Sequence, residues 1–553
     1  MNYFLTYTVY VLILSVLMGI STWKLFKKMG YSPLFAFIPF YNYFIILKET
    51  KHPKWWAVLS YLPIVGPIMM SVFHIYLMKK FGKTLFQHQL LTVILPFIYM
   101  ASVNYSKDAE VEDESANDLF LTDEEKNTKK KDTFVGSITF AVVFATIIHV
   151  FVTQPFGIPT GSMERTLLVG DFLFVNKWSY GYRLPMRPVA IPFLQGTIMD
   201  TGEKGNPKDD PKSYVDAVKL PYERIFQFNK PQRNDVVVFN YPQDSVHTAI
   251  DRKDPYVKRC VAVAGDTFEM RAGRLFVNGK PETVLGDQEV QHAYTVNAGS
   301  QLDIPSLYNT YGFLPVREIQ TEKGFIYAFQ GLTDKTAAEI KTLPNVVSME
   351  ESIFPKDSAT VSYKLNADKS AYTKSIDTTQ SIFPINKPWN QDWYGPLKIP
   401  KKGDVVAINK ETLPTYRWII SEYEHNSLVE RDNQIFINGQ PATSYTIKQD
   451  YYMMIGDNRD ASLDARFFGF VPEENIVGKP MFTWMSVQGV FSDASSTYQA
   501  PKKIRWDRMF KATNTGEANK TSYWWIAAMI LILFFGWEYF VKLFRKDKKE
   551  ENL

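Results

Sequence analysis

One serine lies in a segment whose composition favours a sharp turn. Pro155, Gly157, Pro159 and Gly161 disfavour a helix, and the sharp turn falls at Thr160-Gly161-Ser162. Such a turn exposes the Ser162 hydroxyl beside its own backbone N–H, which suits a nucleophile with an adjacent oxyanion donor. The simpler alternative is a polar turn that caps the next element, because Ser and Gly are common turn residues.

A nucleophilic serine needs a base, and the sequence offers a lysine rather than a histidine. The seven histidines are scattered, and no Gly-x-Ser-x-Gly motif surrounds Ser162. Lys258 lies in Tyr256–Asp266, an apolar run typical of a core strand, where burial would lower the pKa of its amine. The two residues could therefore form a Ser–Lys dyad. The alternative places Lys258 on a solvated strand face beside Arg259.

A third stretch, residues 456–466, concentrates charge between two apolar segments. Its charged residues are Asp457, Arg459, Asp460, Asp464 and Arg466. The flanking segments Tyr451–Ile455 and Phe467–Val471 would bury these charges, which must then pair, plausibly Asp464 with Arg466 or Arg459. A solvated loop is the default alternative. A calcium loop is a second one, but the spacing lacks the terminal glutamate of an EF-hand.

The elements that position these groups predict a mostly β domain. Thr166–Trp178 predicts strands around a Gly170-Asp171 turn, and Asp235–Phe239 predicts a short buried strand. The Asn278-Gly279 and Asn438-Gly439 steps predict hairpin turns. The mixed composition of residues 281–399 indicates an inserted, β-rich cap.

Apolar runs near both ends of the chain predict five or six membrane-spanning helices. The runs are Met1–Trp23, Met29–Leu47, Trp55–Met78, Thr84–Ser106, Thr133–Thr153 and Thr521–Trp537. Prolines in the second and third runs also allow broken or re-entrant helices. Basic clusters at Lys129–Lys131 and Lys546–Lys549 place the neighbouring ends in the cytoplasm, and hence Gln154–Lys520 outside. The loops between the first four runs are all basic, which conflicts with every run crossing the membrane.

The composition excludes several classes of protein. The formal net charge of +4 is small for 553 residues, and no nucleic-acid motif is present, so no nucleic-acid partner is expected. The single cysteine, Cys260, excludes an intrachain disulfide and a cysteine-cluster zinc site. We expect neither a metal nor a cofactor.

Five segments, in order along the chain, resemble the type I signal peptidases of bacterial membranes. They are residues 158–163, 233–242, 256–259, 456–466 and 467–472, and the resemblance covers roughly Phe134 to Met485. It implies that Ser162 attacks the scissile carbonyl and that neutral Lys258 is the base. The implied oxyanion hole is the Ser162 N–H with the Thr160 hydroxyl.

The resemblance also implies supporting and substrate-binding residues. Ser462 would hydrogen-bond the lysine, and Asp464 with Arg466 would form a supporting ion pair. Ile158, Pro159 and Val257 would line pockets for small residues, as in an Ala-x-Ala cleavage site. One departure is Arg165, which stands where the family often has proline.

These inferences give a domain prediction. It comprises N-terminal membrane helices (1–106), a charged cytoplasmic linker (107–132), an anchor (133–153), the catalytic domain (154–280 and 400–511), the cap (281–399) and a C-terminal helix (521–544). The expected fold is α-helical membrane spans plus a mostly β, signal-peptidase-type extracytoplasmic domain. The N-terminal runs resemble a small hydrophobic domain of unknown role that is fused to some of these enzymes.

The resemblance implies a multi-pass protein of the bacterial inner membrane, with its catalytic domain on the outer face. Its substrates would be secretory preproteins, its surroundings membrane lipid, and an association with the secretion machinery a further expectation. The alternatives are a Ser–Lys self-cleaving repressor, which needs no membrane spans, and a catalytically inactive membrane scaffold. Intact Ser162 and Lys258 weigh against the scaffold.

Overall fold

The computed structural model describes residues 2–112, 138–199, 209–247, 249–286, 288–313, 316–356, 382–432, 434–491 and 496–513, the backbone of residues 361–365 and 372–376, and residues 525, 528, 529 and 532. Lys129–Lys131, Lys546–Lys549, most of the predicted linker and nearly all of the predicted C-terminal helix lie outside these residues. The chain forms two compact units. The N-terminal unit comprises Met1–Gln154, Gly181–Gln227 and Asp244–Asp254, and the second unit comprises Pro155–Tyr180, Phe228–Gln243 and Pro255–Leu553. Because the second unit contains both predicted dyad residues, Ser162 and Lys258, we call it the catalytic unit.

The N-terminal unit is helical. Its helices are α1 (Tyr3–Lys28), α2 (Tyr41–Glu49), α3 (Val65–Lys80), α4 (Phe86–Ile94), α5 (Pro96–Tyr105) and α6 (Ile138–Phe151), with 3₁₀ turns at Pro33–Phe37 and Lys54–Tyr61. Among the described residues, α1 alone is both long and apolar enough to cross a membrane, with a mean hydropathy of 2.0. The second to fourth apolar runs fold as shorter pieces. Prolines lie at the breaks, because proline can begin a helix but interrupts its interior.

The basic loops of the N-terminal unit meet at one end of it, which we call the basic end. Asn104 Oδ1 accepts from the backbone N–H of Lys24 at 2.9 Å, near the end of α1. Lys28 Nζ donates to the Ala109 carbonyl at 2.5 Å, and the Glu112 N–H donates to the Lys80 carbonyl, at the end of α3, at 3.0 Å.

The loop after α2 lies at the same end. The Tyr31 hydroxyl, just after α1, donates to Glu49 Oε1 at 2.6 Å, and the His52 ring stacks on Tyr76 at 3.9 Å. Residues 30–49 and 84–105 therefore each leave the basic end and return to it. All three basic loops lie at one end of the unit, which removes the conflict between these loops and the prediction that every apolar run crosses the membrane.

The opposite end of the N-terminal unit contains the start of α1 and the end of α6. The Tyr3 hydroxyl donates to the Pro185 carbonyl at 3.0 Å, and the Ile64 N–H donates to the Pro188 carbonyl at 2.8 Å. The Tyr182 hydroxyl donates to the Val150 carbonyl at 2.9 Å. Residues 182–188, predicted to belong to the catalytic domain, are thus part of the N-terminal unit.

The rest of the chain is mostly β. In chain order the strands are β1 (Thr153–Gly157), β2 (Asp171–Asn176), β3 (Tyr182–Arg183), β4 (Arg224–Ile225), β5 (Val236–Asn240), β6 (Pro255–Ala262), β7 (Thr267–Arg271), β8 (Arg274–Val277), β9 (Lys280–Pro281), β10 (His292–Ala298), β11 (Val316–Thr321), β12 (Gly324–Leu332), β13 (Val346–Glu351), β14 (Val361–Leu365), β15 (Tyr372–Ile376), β16 (Tyr394–Lys398), β17 (Val405–Ala407), β18 (Leu428–Arg431), β19 (Gln434–Ile437), β20 (Gln440–Pro441), β21 (Ser444–Thr446), β22 (Tyr451–Ile455), β23 (Val471–Pro472), β24 (Ile476–Gln488), β25 (Lys503–Ile504) and β26 (Lys511–Ala512). In the described part of the chain, four short α-helices join them: α7 (Ile304–Tyr311), α8 (Asp334–Lys341), α9 (Leu413–Trp418) and α10 (Ala465–Phe468).

The largest sheet runs β1-β2-β24-β5-β6-β22-β23, so β1 is an edge strand and β6 is central. The buried strand predicted at Asp235–Phe239 is confirmed as β5, and both Asn-Gly steps form hairpin turns, between β8 and β9 and between β19 and β20. The prediction of strands throughout Thr166–Trp178 is wrong for its first part. There the chain turns back on itself, with the Leu167 N–H donating to the Met163 carbonyl, and β2 begins at Asp171.

The predicted cap contains, in residues 292–351, a sheet and a hydrophobic core of its own. Its strand order is β11-β12-β10-β13, and its core includes residues of both α7 and α8. The strand β16 does not join this sheet but pairs with β7. Leu397 and Ile399 belong to the hydrophobic core of the catalytic unit. The structure therefore ends the insertion before Tyr394, earlier than the predicted boundary at residue 399.

Candidate active site

Ser162 lies in a single 3₁₀ turn, Gly161–Met163, that follows extended backbone at Thr160. We call residues 160–163 the serine turn. Met163 fixes the serine turn, because its side chain is fully buried in a small hydrophobic core with Ile158 and Leu173. Asn458 holds it from the side: its N–H donates to the Ser162 carbonyl at 3.2 Å, and its side-chain amide donates to the Gly161 carbonyl at 3.1 Å.

Lys258 reaches the serine turn from the central strand β6, opposite Val237 of β5. Its Nζ donates to Ser162 Oγ at 2.7 Å and to the Val257 carbonyl at 3.1 Å. The lysine is 4% exposed and the serine 7%. Burial lowers the pKa of Lys258 to about 8, and the negative charges of Asp464 and Asp457 offset only part of that effect. The alternative of a solvated strand face is therefore wrong, since Arg259 is fully buried as well.

Most of the charged loop (residues 456–466) is buried, and four of its five charged side chains form ion pairs. The fifth, Asp460, accepts hydrogen bonds from the Ala293 N–H and the Gln391 side-chain amide. Arg466 Nε and Nη2 donate to the two Asp464 oxygens at 2.9 and 2.8 Å, and both side chains are 0% exposed. The Gly456 N–H also donates to Asp464 at 3.2 Å. Of the two predicted partners for Asp464, the structure selects Arg466, because Arg459 pairs with Glu282 at 2.7 Å.

Ser462 lies beside the dyad candidates, but its predicted contact is not formed. Its Oγ is buried and has no hydrogen-bond partner among the described residues, so the structure lacks the Ser462–Lys258 hydrogen bond that the resemblance implies. The lysine instead donates to the serine and to its own strand. A Cβ at Gly456 would come within 2.2 Å of Ser462 Oγ and 2.5 Å of the Ser162 carbonyl oxygen, so only glycine fits between these two serines.

An apolar pocket of about 350 Å³ opens beside the serine. Its lining residues include Phe156, Gly157, Ile158, Pro159, Thr160, Ser162, Leu173, Val257, Lys258 and Leu463. All three predicted substrate-binding residues, Ile158, Pro159 and Val257, therefore line one pocket, together with Thr160.

Several supporting residues had no prediction from the sequence. Arg259 is bidentate to Asp457 at 2.8 and 2.7 Å, and the Thr166 hydroxyl donates to the same carboxylate at 2.7 Å. Arg508 donates to Asp171 at 2.6 Å. The dense charge of residues 456–466 could have suggested the first pair. Nothing in the sequence connects Arg508 with Asp171.

One group of potential metal ligands occurs among the described residues. It consists of Asp244, His247 and Asp254, with His247 Nδ1 2.7 Å from Asp244 Oδ2. It belongs to the N-terminal unit and not to the pocket described above.

A lysine amine in contact with a serine hydroxyl beside an apolar pocket is characteristic of peptidases with a Ser–Lys dyad. A family model described as signal peptidase, peptidase S26, matches residues 131–327 and 394–485, more than half of the chain. The chain belongs to this family. The match is interrupted between 327 and 394, within the predicted insertion. A model of a family of unknown function matches residues 34–112.

Curated relatives agree with the family match. Signal peptidase I of Haemophilus influenzae is 28% identical over 476 residues, which cover 85% of this chain and 98% of the relative. Signal peptidase I of Helicobacter pylori strain 26695 is 25% identical over 383 residues, covering 68% and 92%. That of Buchnera aphidicola subsp. Schizaphis graminum is 25% identical over 360 residues, covering 63% and 73%.

Proposed function

We propose that Ser162 and Lys258 are the catalytic dyad with which this chain, a type I signal peptidase, cuts its preproteins. The observation that carries the proposal is the 2.7 Å contact between Lys258 Nζ and Ser162 Oγ in a buried site. Removal of the amine from water favours its neutral form, so the lysine can accept a proton near physiological pH.

The reaction follows from these positions. Ser162 Oγ attacks the scissile carbonyl carbon while Lys258 Nζ takes the hydroxyl proton. The Ser162 N–H and the Thr160 hydroxyl donate to the oxyanion. Lys258 then gives its proton to the departing amine of the substrate. The neutral Lys258 amine next takes a proton from a water molecule, which hydrolyses the acyl ester on Ser162.

The substrate would add a strand to the edge strand β1 and the residues after it. The Ile158 N–H donates to the Asp171 carbonyl at 2.8 Å, and the Ile158 carbonyl accepts from Gly170 at 2.9 Å. Successive residues of extended backbone alternate in direction, so Gly157 and Pro159 present their backbone groups to the open side. Ile158, Leu173 and Val257 narrow the pocket, which favours small side chains such as alanine.

We also propose that the protein is a multi-pass membrane protein whose basic end is cytoplasmic. The shared end of the three basic loops supports this orientation by the positive-inside rule. The opposite end contains the last turn of α6, from which the chain continues into β1 and the catalytic unit. The catalytic unit would then lie outside, where translocated preproteins and the secretion machinery meet.

Cleavage by the full-length protein in detergent tests the dyad. We expect Ser162→Ala and Lys258→Ala each to abolish cutting of a secretory preprotein after a small residue. Ser300→Ala and Lys402→Ala, at exposed positions, are the matched controls and should cut at the wild-type rate. Cutting by either dyad variant while folded would refute the assignment, and absence of cutting by the wild type would favour the scaffold alternative.

Labelling with a membrane-impermeant maleimide tests the orientation. Cys260 is fully buried and should not react in the folded protein, so any maleimide labelling comes from the introduced cysteine. We expect Lys402→Cys to be labelled from outside and Lys51→Cys only after permeabilisation. The reverse pattern would contradict the orientation.

A further inference from the structure

The cap contacts the serine turn through the residue at which this chain departs from the family pattern. Arg165 follows the serine turn by two positions and has a φ of +72°. Proline is fixed near −65° and cannot adopt this conformation. A non-glycine residue in the left-handed region is strained, and such strain persists where surrounding contacts hold the residue in place.

Two contacts hold Arg165, and both come from the insertion. Its Nε donates to Glu289 Oε2 at 2.7 Å, and its Nη1 donates to the Tyr311 carbonyl at 2.5 Å. Tyr311 is the last residue of α7, and the carbonyls of a final helical turn have no partner within the helix. A cation at that position also complements the helix dipole.

A second connection reaches the serine turn through the charged loop. The Gln291 N–H, just before β10, donates to the Asp457 carbonyl at 3.0 Å, and the Gln291 carbonyl accepts from the Arg459 N–H at 3.0 Å. These two bonds flank Asn458, which itself donates to the carbonyls of Gly161 and Ser162. Both connections from the insertion therefore converge on the backbone of the serine turn.

We propose that the cap is a positioning element of the catalytic centre and that Arg165 is the positioning residue through which it acts. The inference rests on the proposed role of Ser162. Arg165 does not reach the reacting atoms; it fixes the backbone after Ser162, so that the serine Oγ and N–H keep their directions toward Lys258 and the substrate carbonyl. Small errors in such an alignment lower the rate of the chemical step more than they weaken binding.

The exposure of the ion pair supplies a specific readout. The side chains of Arg165 and Glu289 are 30% and 45% exposed, so salt screens their attraction. The kcat of the wild type should therefore fall as ionic strength rises, whereas a variant without the guanidinium should not show this response. A purely structural role for the cap gives no reason for such a difference.

The test measures kcat and KM of full-length variants in detergent with one preprotein. Arg165→Gly keeps the backbone, because glycine adopts a φ of +72° freely, and removes both contacts. Arg165→Lys keeps the charge, but lysine lacks the forked geometry that serves two acceptors. Glu289→Gln removes only the ion pair, and Arg431→Ala, at an exposed strand end, is the control.

We expect Arg165→Gly to lower kcat about tenfold with KM changed less than about twofold. Arg165→Lys should recover part of the loss. Glu289→Gln should lower kcat less than Arg165→Gly does, and the double variant should be no worse than Arg165→Gly, because both changes act on one contact. Unchanged kcat in Arg165→Gly, or additive losses in the double variant, would overturn the inference.

Ser162→Ala in the same assay separates the two proposals. If Ser162→Ala is inactive and Arg165→Gly is fully active, the cap inference fails and the dyad stands. If Ser162→Ala still cuts, the proposed function itself fails. If Arg165→Gly does not fold, the Glu289→Gln variant and the salt dependence of the wild type provide the test. An unchanged kcat in Glu289→Gln, together with a wild-type kcat that does not respond to ionic strength, would overturn the inference.

Discussion

The substitution Asp464→Asn neutralises one partner of a fully buried ion pair. Asp464 and Arg466 are both 0% exposed, and the carboxylate accepts two hydrogen bonds from the guanidinium group and two from the backbone N–H groups of Gly456 and Arg466. Asparagine has nearly the same shape but offers one acceptor oxygen. The charge of Arg466 then remains buried without its counter-ion.

Removal of one partner from a buried pair costs about 3–5 kcal/mol, because the remaining charge keeps its desolvation penalty. We therefore expect Asp464→Asn to lower the melting temperature by roughly 10 °C. The substitution also acts on Lys258. The Asp464 charge raises the pKa of that amine, so its removal lowers the pKa further below about 8. The acidic limb of the pH profile should move to lower pH.

Melting of the full-length protein in detergent, followed by tryptophan fluorescence, measures the first effect, and kcat/KM against pH measures the second. Glu411→Gln is the matched control. Glu411 pairs with Lys387 at 2.9 Å, but its side chain is 76% exposed, and exposed pairs contribute about 0–1 kcal/mol. If Asp464→Asn has the same melting temperature as Glu411→Gln, and the acidic limb of its kcat/KM profile is not shifted, the reasoning about the buried ion pair is refuted.

Two further substitutions test the site directly. Thr160→Val removes the predicted oxyanion donor without changing the size of the side chain; it should lower kcat by about 10²–10³-fold, whereas Thr160→Ser should stay near the wild type, and an active valine variant would exclude the hydroxyl. Lys258→Met should be inactive but more stable than the wild type at pH 7, by up to about 3 kcal/mol, the free energy that corresponds to a pKa lowered from 10.5 to about 8. Because the folded protein releases this proton between about pH 8 and 10.5 while the unfolded chain still holds it, wild-type stability should rise across that window and the advantage of Lys258→Met should vanish. An advantage that does not change with pH would show that folding leaves the pKa of Lys258 unchanged, and so would contradict the lowered pKa.

The chemistry-bearing residues could be predicted because each has a strong local signal. The prolines and glycines around Ser162 favour a turn. The apolar run around Lys258 favours a buried amine once the nearby candidate nucleophile is considered, although the run alone also allows a solvated strand face. The Asn-Gly steps specify hairpins in the same way. That Asp464 is paired followed from its place in a loop between two buried segments, but the sequence left Arg466 and Arg459 as alternative partners, and only the structure selects Arg466.

The contacts that depend on distant parts of the chain could not be predicted. Nothing local connects Arg165 with Glu289, Asn458 with Gly161, or Arg508 with Asp171, since sheet topology and the insertion bring them together. The first 106 residues also illustrate this limit. Hydropathy marks their apolar runs, but only the packed helices show which runs return to the end from which they began.

The pH dependence of kcat/KM for the full-length enzyme tests the central claim, a buried Lys258 with a lowered pKa as the base for Ser162. This ratio reports the ionisation of the free enzyme. The structure predicts that it rises with pH and levels off above an apparent pKa of about 8. A profile that is flat from pH 6 to 9.5, or one that still rises toward the ordinary lysine value near 10.4, would contradict the claim.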